Sequence, residues 1–267
     1  MPTRDTPFSA GTPCWVDLMS SDAAASTAFY TALFGWEADA PAAEFGNYVN
    51  FTSGGHRVAG LVPADPGSGA IHAWSTYFST DDAEATAAVA ADAGAQLLFP
   101  PAKVADLGSM AVLLDPAGAA FGLWQPGTHT GFGRYAEPGS VAWIEHHSKD
   151  YAASRAFYPA VFGWQLDVLS DTDEFRYCTA KVPGETDPVA GLMDSASFLP
   201  EQVPSHWAVY FNVADADASS ARLIQLGGTV VRPAEDTPFG RIADVTDPHG
   251  GSFRLHQAPP DATPPSA

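Results

Sequence analysis

Two stretches of this 267-residue chain decide its fold: TPCWVDLMSSDAAASTAFYTALFGW at 12–36 and SVAWIEHHSKDYAASRAFYPAVFGW at 140–164. At an offset of 128 residues, 13 of the 25 aligned positions are identical, and Trp15 falls on Trp143. Chance does not produce such a match, so the chain contains an internal repeat.

The repeat extends through almost the whole chain. The tetrapeptide VAGL recurs, and DPAGAAFGLWQ (115–125) matches DPHGGSFRLHQ (247–257), with an offset that stays between 128 and 134. We therefore expect two domains of one kind. The predicted segments are domain one at 10–126, a linker at 127–138, domain two at 139–258 and a disordered tail at 259–267.

Each copy divides again into two similar units. In the first, a short strand leads through Ser21 and Asp22, which suit a helix N-cap, into a helix that Gly35 ends. In the second, another strand precedes a helix predicted from about Asp81 to Gly94, and a closing hairpin turns on the tetrapeptide DPAG. Each copy is therefore predicted to be β-α-β-β-β twice, an α+β fold.

Composition limits the classes of partner. Asp and Glu outnumber Lys and Arg by 31 to 12, which gives a net charge of −19. Such a field repels nucleic acid phosphates and anionic lipids, so neither nucleic acid nor a membrane surface is expected as a partner. With no apolar stretch of about 20 residues and no secretory signal, the protein is expected to be cytoplasmic. Cys14 and Cys178 are expected to be buried and unpaired.

The motifs together resemble a known superfamily. A strand followed by an Asp-capped helix ending in AFYxxxFGW, and a closing DPxGxxFxLW hairpin, are similar to the vicinal oxygen chelate superfamily. That superfamily includes glyoxalases, extradiol dioxygenases, fosfomycin-modifying enzymes and bleomycin-resistance binding proteins. The resemblance implies two tandem glyoxalase-like domains. In each, two βαβββ units would form a cupped mixed sheet with helices outside.

The resemblance also locates the positions at which metal-binding members carry their ligands. In copy one these positions are Trp15, Gly60, Ser75 and Gly122, and in copy two they are Trp143, Gly191, Ala208 and Arg254. None of these side chains suits a divalent cation, because His, Cys and carboxylates supply nearly all such bonds. We therefore predict neither metal nor cofactor. The histidines do not change this, since no pair has ligand spacing and the adjacent His146 and His147 must face opposite sides of a strand.

Strand alternation predicts which side chains face into each cup. The predicted ligand-binding residues are Trp15, Asp17, Met19, Tyr48, Ser75, Tyr77 and Trp124 in copy one, and Trp143, Tyr177, Tyr210, Arg254 and His256 in copy two. Gly122, Glu145, His147 and Ala208 complete the two faces. Such linings suit a flat aromatic molecule, although the same rings could simply fill the cups as core. Trp36 and Trp164 are expected to pack structurally.

The second cup allows two accounts. Glu145 could act as a general base, with His147 or His256 as the acid. Alternatively, Glu145 and Arg254 form an ion pair that satisfies both charges.

The leading hypothesis is a metal-free protein that binds a planar, hydrophobic or aromatic small molecule, for antibiotic sequestration or as an accessory of secondary metabolism. The alternative is a cofactor-independent isomerase, cyclase or oxygenase-like enzyme using Glu145 and His147. A metal-dependent glyoxalase or dioxygenase ranks last, and a role in binding a protein partner stays open. Because the fusion would replace a dimer, a monomer is expected.

Overall fold

The computed structural model describes residues 3–65, 67, 69 and 71–259. Copy one comprises β1 (Pro13–Ser20), α1 (Ala23–Phe34), β2 (Glu37–Ala38), β3 (Val49–Ser53), β4 (His56–Pro63), β5 (Ala73–Ser79), α2 (Ala83–Asp92), β6 (Gln96–Val104), β7 (Gly108–Leu114) and β8 (Ala120–Pro126). Copy two comprises β9 (Val141–Ser148), α3 (Tyr151–Phe162), β10 (Gln165–Asp171), β11 (Arg176–Lys181), β12 (Ala190–Asp194), β13 (His206–Asn212), α4 (Ala216–Gln225), β14 (Thr229–Thr237), β15 (Gly240–Thr246) and β16 (Ser252–Gln257). Apart from Pro259, the predicted tail lies outside the described residues.

In the described chain each copy forms one mixed sheet of eight strands. The order is β2-β3-β4-β1-β5-β8-β7-β6 in copy one, and copy two repeats it as β10-β11-β12-β9-β13-β16-β15-β14. At the centre, β1 pairs in parallel with β4 and antiparallel with β5, which in turn pairs in parallel with β8. Each predicted βαβββ unit thus supplies four adjacent strands, and the predicted α+β fold is confirmed.

The helix signals have the predicted local effect. The Asp22 carboxylate accepts a hydrogen bond from the Ala25 backbone N–H at 3.0 Å, and Gly35 adopts the left-handed conformation with φ of 70°. This conformation favours glycine, so the helix ends there. The second helix begins slightly later than predicted, because the cap is Asp82 rather than Asp81.

The two sheets pack back to back through their central strands. The rings of Phe78 on β5 and Trp207 on β13 lie 4.9 Å apart, and those of Trp74 and Phe211 lie 5.0 Å apart. Side chains alternate along a strand, so Ser75 and the other predicted lining residues point away from this interface. We call that outer face of each sheet its cup. The two cups therefore open in opposite directions.

Trp36 and Trp164 lie between the two copies and bridge them. The indole Nε1 of Trp36 donates to the Gly139 carbonyl at 2.6 Å, and that of Trp164 donates to the Gly11 carbonyl at 3.0 Å, so both tryptophans pack structurally as predicted.

Cys14 is buried and unpaired, and so is Cys178. None of the helices in the described part of the chain is long and apolar enough to cross a membrane.

His146 and His147 lie on opposite faces of β9, as strand alternation predicts. His146 points to the interface, where its Nε2 lies 2.8 Å from the Asp115 carboxylate of copy one. His147 points into the cup, where its Nε2 lies 2.9 Å from the Oε1 of Glu145. Only one of the two imidazoles is therefore available to a cup.

Candidate functional site: two unequal cups

The strand register brings the predicted lining residues of each cup together. In copy one, Trp15 is paired with Tyr77, and Asp17 is paired with both Ser75 and Gly60. Copy two repeats these pairs as Trp143 with Tyr210, and as Glu145 with Ala208 and Gly191. Paired residues on adjacent strands point to the same face of a sheet. The structure thus places these residues side by side, while their role in binding stays a prediction.

A carboxylate held by two tyrosines forms the floor of cup one, which we define as Trp15, Asp17, Tyr48 and Tyr77. The Trp15 Nε1 donates to the Tyr48 hydroxyl at 2.8 Å, and that hydroxyl donates to the Asp17 Oδ2 at 3.4 Å. Tyr77 lies next to Asp17, and burial beside this carboxylate raises the pKa of the Tyr77 hydroxyl. The Trp15 indole and the Asp17 carboxylate therefore both have Tyr48 as a partner.

The floor of cup two repeats this arrangement with Trp143, Glu145, Tyr177 and Tyr210. The Tyr210 hydroxyl donates to the Glu145 Oε1 at 2.6 Å. Tyr177 lies next to Glu145 and Trp143, and burial beside this carboxylate raises the pKa of the Tyr177 hydroxyl. The duplication has therefore preserved one tryptophan, one carboxylate and two tyrosines in each cup.

Cup two adds a cation and an imidazole to this floor. The Arg254 Nη1 lies 3.2 Å from the Glu145 Oε1 and contacts the Tyr210 hydroxyl, and its Nε lies 2.8 Å from Asp244. The predicted ion pair between Glu145 and Arg254 is thus present. Behind it, the Ser195 hydroxyl lies 3.2 Å from the Nδ1 of His147.

These additions give the two carboxylates opposite ionisation behaviour. Burial alone raises the pKa of Glu145, but the hydrogen bond from His147 and the charge of Arg254 outweigh it and lower this pKa to about 2. Asp17 has Gly122 where cup two has Arg254, so burial dominates and raises its pKa to about 7 despite hydrogen bonds from Tyr77 and Tyr48. Burial also lowers the pKa of His147, which favours the neutral imidazole. The floor of cup two therefore carries the charged pair Glu145 and Arg254, whereas the floor carboxylate of cup one is protonated below neutral pH.

The chain itself covers cup one. After β8 the linker turns back, and the His129 ring stands edge-on to the Trp15 ring with centroids 4.5 Å apart, while the Phe132 ring lies 5.6 Å from the same indole. The Trp124 Nε1 donates to the His129 carbonyl at 2.9 Å. His129 and Phe132, which we call the linker plug, are 7% and 3% exposed. The linker is therefore part of the core of copy one.

Cup two is instead bordered by three exposed phenylalanines. Phe175, Phe198 and Phe239, the aromatic rim, are 43%, 55% and 57% exposed. Phe175 stacks on Tyr177 with centroids 5.7 Å apart, and Phe239 lies 6.4 Å from the same tyrosine. Phe198 lies 6.2 Å from His147. Two rim residues thus contact Tyr177 of the floor, and the third contacts His147.

Comparison with known proteins identifies the family to which this architecture belongs. The family model described as the glyoxalase/bleomycin resistance protein/dioxygenase superfamily matches residues 14–123 and 140–255. The chain belongs to this superfamily.

Individual relatives extend this result. The chain is 40% identical to the anthracycline biosynthesis protein DnrV of Streptomyces peucetius and 39% identical to the anthracycline biosynthesis protein DauV of Streptomyces sp. strain C5, with 94% of each chain covered in both comparisons. Among solved structures, the Mn(II)-bound glyoxalase from Novosphingobium aromaticivorans superposes with a TM-score of 0.65 at 19% identity, covering 93% of this chain and 82% of that one. At such low identity this likeness shows the shared fold alone.

The superfamily's metal does not fit the residues of either cup. A Cβ added at Gly60 would lie 1.8 Å from the Tyr48 hydroxyl, and one at Gly191 would lie 2.1 Å from the Tyr177 hydroxyl. At Gly122 the ring of Tyr77 is equally close, at 2.1 Å. Tyrosines of the two floors therefore fill the space that ligand side chains would need. Across the described ranges, no group of three or more His, Cys, Asp or Glu side chains is placed to hold a metal ion.

The remaining predicted residues lie at the margins of the cups. Met19 and Ser75 are partly buried on the floor side of β1 and β5. The His256 Nε2 donates to the Phe239 carbonyl at 2.8 Å when that nitrogen carries the proton, so it supports the rim rather than Glu145. Of the two acids considered for Glu145, only His147 is in contact with it.

Sequence reasoning missed the residues that cover the cups. The linker plug was assigned to a connecting segment, and the rim falls in hairpins and a loop that strand periodicity does not describe. One signal was available, since Gly46 and Leu107 stand in copy one where copy two has Phe175 and Phe239. His206 was also missed: its ring stacks on that of His147 with centroids 5.2 Å apart, and burial lowers its pKa to about 4.

Proposed function

We propose that this protein binds a flat aromatic small molecule in cup two, without a metal, as an accessory protein of secondary metabolism. The observation that carries the proposal is the aromatic rim, three exposed phenylalanines around a buried polar floor. Exposed apolar clusters rimmed by polar residues commonly mark binding sites in soluble proteins.

The rim offers a flat molecule exposed aromatic surface, which the buried polar floor does not. The rings of Phe175 and Phe239 both contact the ring of Tyr177, and Phe198 lies beside His147. Aromatic contacts add about 0.5–1.5 kcal/mol per pair to the area they bury. A planar polycycle could contact all three rim rings at once, and so cover apolar surface that is now in water.

The floor favours binding over proton transfer. A general base works best when its pKa lies near the operating pH. The pKa of Glu145 is about 2, because it accepts hydrogen bonds from His147 and Tyr210 and lies beside Arg254. Such a carboxylate is a weak base. Its role in this proposal is to hold Arg254 and the two tyrosines in place beneath the ligand.

The relatives support the proposed setting. Two proteins about 40% identical to this chain over nearly its full length are named for anthracycline biosynthesis. Anthracyclines are fused-ring aromatic compounds, and such a compound has the shape that the rim suits. We therefore favour the accessory role over antibiotic sequestration.

Equilibrium dialysis against 1,4-dihydroxyanthraquinone tests the proposal. We expect saturable binding, and no binding of 1-adamantanol, which is apolar but not flat. Replacing the rim residue Phe239 with Ser should weaken binding about three- to tenfold, the equivalent of one aromatic contact. The control is Ile224→Ser, at a side chain on helix α4 that is 58% exposed and lies outside the strands that form the cups.

Two outcomes would count against the proposed function. One is the absence of saturable binding to any planar aromatic probe. The other is an equal loss of affinity in the Phe239→Ser and Ile224→Ser variants, which would show that binding reports general surface hydrophobicity.

A further inference from the structure

The linker plug occupies cup one in the way a bound molecule would. The His129 imidazole is a flat ring, stands edge-on to Trp15 with an interplanar angle of 85°, and lies 5.4 Å from the ring of Trp124. Burial lowers the pKa of His129 to about 4, so the ring is neutral near neutral pH. Cup one thus holds an uncharged aromatic ring supplied by its own chain.

Backbone hydrogen bonds fix the plug firmly. The N–H of His129 donates to the Leu107 carbonyl at 3.1 Å, and the N–H of Phe132 donates to the Cys14 carbonyl at 2.8 Å. Between them, the N–H of Gly131 donates to the His129 Nδ1 at 3.0 Å. Gly131 has φ of 105°, and a Cβ there would lie 2.6 Å from the Cys14 carbonyl oxygen. This turn therefore depends on glycine.

Cup two has the same floor and a different cover. Trp143 corresponds to Trp15 but is partly exposed, whereas Trp15 is 5% exposed. Among the described residues, no aromatic ring contacts the Trp143 ring as the His129 ring contacts that of Trp15. Residues 258–267, APPDATPPSA, contain no aromatic residue.

We infer that the linker plug is an internal occupant of a second ligand site. Given the proposed function, on which this inference rests, each chain binds one aromatic molecule in cup two. A ring of that molecule is held edge-on to Trp143, as His129 is held against Trp15. The floors of both cups can bind a neutral aromatic ring. The linker, rather than the lining, decides which cup is open.

Native mass spectrometry with 1,4-dihydroxyanthraquinone tests this inference by counting bound molecules. The wild-type chain should bind one molecule at saturation, and Trp143→Ala should lower the affinity at least about tenfold. The variant His129→Gly, Phe132→Ala opens cup one and should bind two. The milder His129→Gly variant, which keeps Phe132, serves if the double variant does not fold.

The outcomes separate the inference from the proposed function. Two molecules bound to the wild-type chain, or one molecule whose affinity is unchanged by Trp143→Ala, would overturn the inference and leave aromatic binding in place. A folded plug variant that still binds one molecule would also overturn it. Failure of the wild-type chain to bind any planar probe would instead remove the proposed function.

Discussion

The hydroxyl of Tyr158 donates a hydrogen bond of 2.8 Å to the Asp115 carboxylate, which joins helix α3 of copy two to the closing hairpin of copy one. The repeat produces the reciprocal contact, since the Tyr30 hydroxyl donates to Asp247 at 2.9 Å. Each tyrosine oxygen in turn accepts from an indole, Trp207 at 2.9 Å and Trp74 at 3.1 Å. The two copies are therefore connected by a pair of buried networks related by the duplication.

Removing one of these hydroxyls should destabilise the whole chain. In Tyr158→Phe the Asp115 carboxylate and the Trp207 N–H both lose a buried partner, and an unsatisfied buried group costs about 1–3 kcal/mol. We expect the free energy of unfolding in urea to fall by that amount, and Tyr30→Phe to behave alike. Tyr135→Phe is the control, because the Tyr135 hydroxyl forms no hydrogen bond to any described residue. An equal effect in Tyr135→Phe would contradict the assignment.

Asp17 should make the protein less stable as the pH rises. Its pKa is about 7 in the folded chain against 3.8 for an ordinary aspartate, so the folded protein retains a proton that the unfolded chain releases over that window. Stability therefore falls between about pH 4 and pH 7, by up to roughly 4 kcal/mol. Asp17→Asn should be more stable than the wild type at pH 8 and nearly equal at pH 4.

Urea unfolding at the two pH values measures this difference. The exposed Asp39→Asn variant is the matched control and should show no pH-dependent gain. A gain for Asp17→Asn that is equally large at pH 4 would show that packing, rather than ionisation, sets the difference.

Gly122 should tolerate no side chain. A Cβ at this position would lie 2.1 Å from the Tyr77 ring, which is itself 8% exposed and held against Asp17. Overpacking of this kind costs about 1–3 kcal/mol. We therefore expect Gly122→Ala to lower the thermal midpoint by several degrees, and the second substitution Tyr77→Ala to restore part of the loss. An unchanged midpoint in Gly122→Ala would show that the floor of cup one can rearrange.

The repeat explains why so much of the fold could be predicted. Asp22 and Gly35 act through contacts within a few residues, so their effect on α1 is encoded locally. The pairing of Trp15 with Tyr77 follows from strand alternation once the family pattern fixes the register. These features depend on periodicity and local backbone chemistry, and a single sequence contains both.

The covers of the cups could not be predicted in the same way. His129 reaches Trp15 across 114 positions of the chain, through a turn set by Gly131 and backbone hydrogen bonds. The exposure of Phe239, between β14 and β15, depends on how that hairpin packs in the folded chain. Neither feature follows a repeating sequence pattern, so predicting either one requires the tertiary structure. The sequence therefore predicted both floors and left open which cup is covered.

Arg254 should control the ionisation of Glu145. The guanidinium lies 3.2 Å from the carboxylate, and an opposite charge within about 4–6 Å typically lowers the pKa of a carboxyl by 1–3 pH units. Arg254→Met keeps much of the side-chain volume and removes the charge, so the pKa of Glu145 should rise from about 2 by that amount. Carbon-13 NMR of glutamate-labelled protein follows this titration directly. The control is Arg241→Gln, which breaks an exposed pair with Asp217 and should leave the signal of Glu145 unchanged. If Glu145 titrates alike in Arg254→Met and the wild type, the hydrogen bonds from His147 and Tyr210 alone hold its charge.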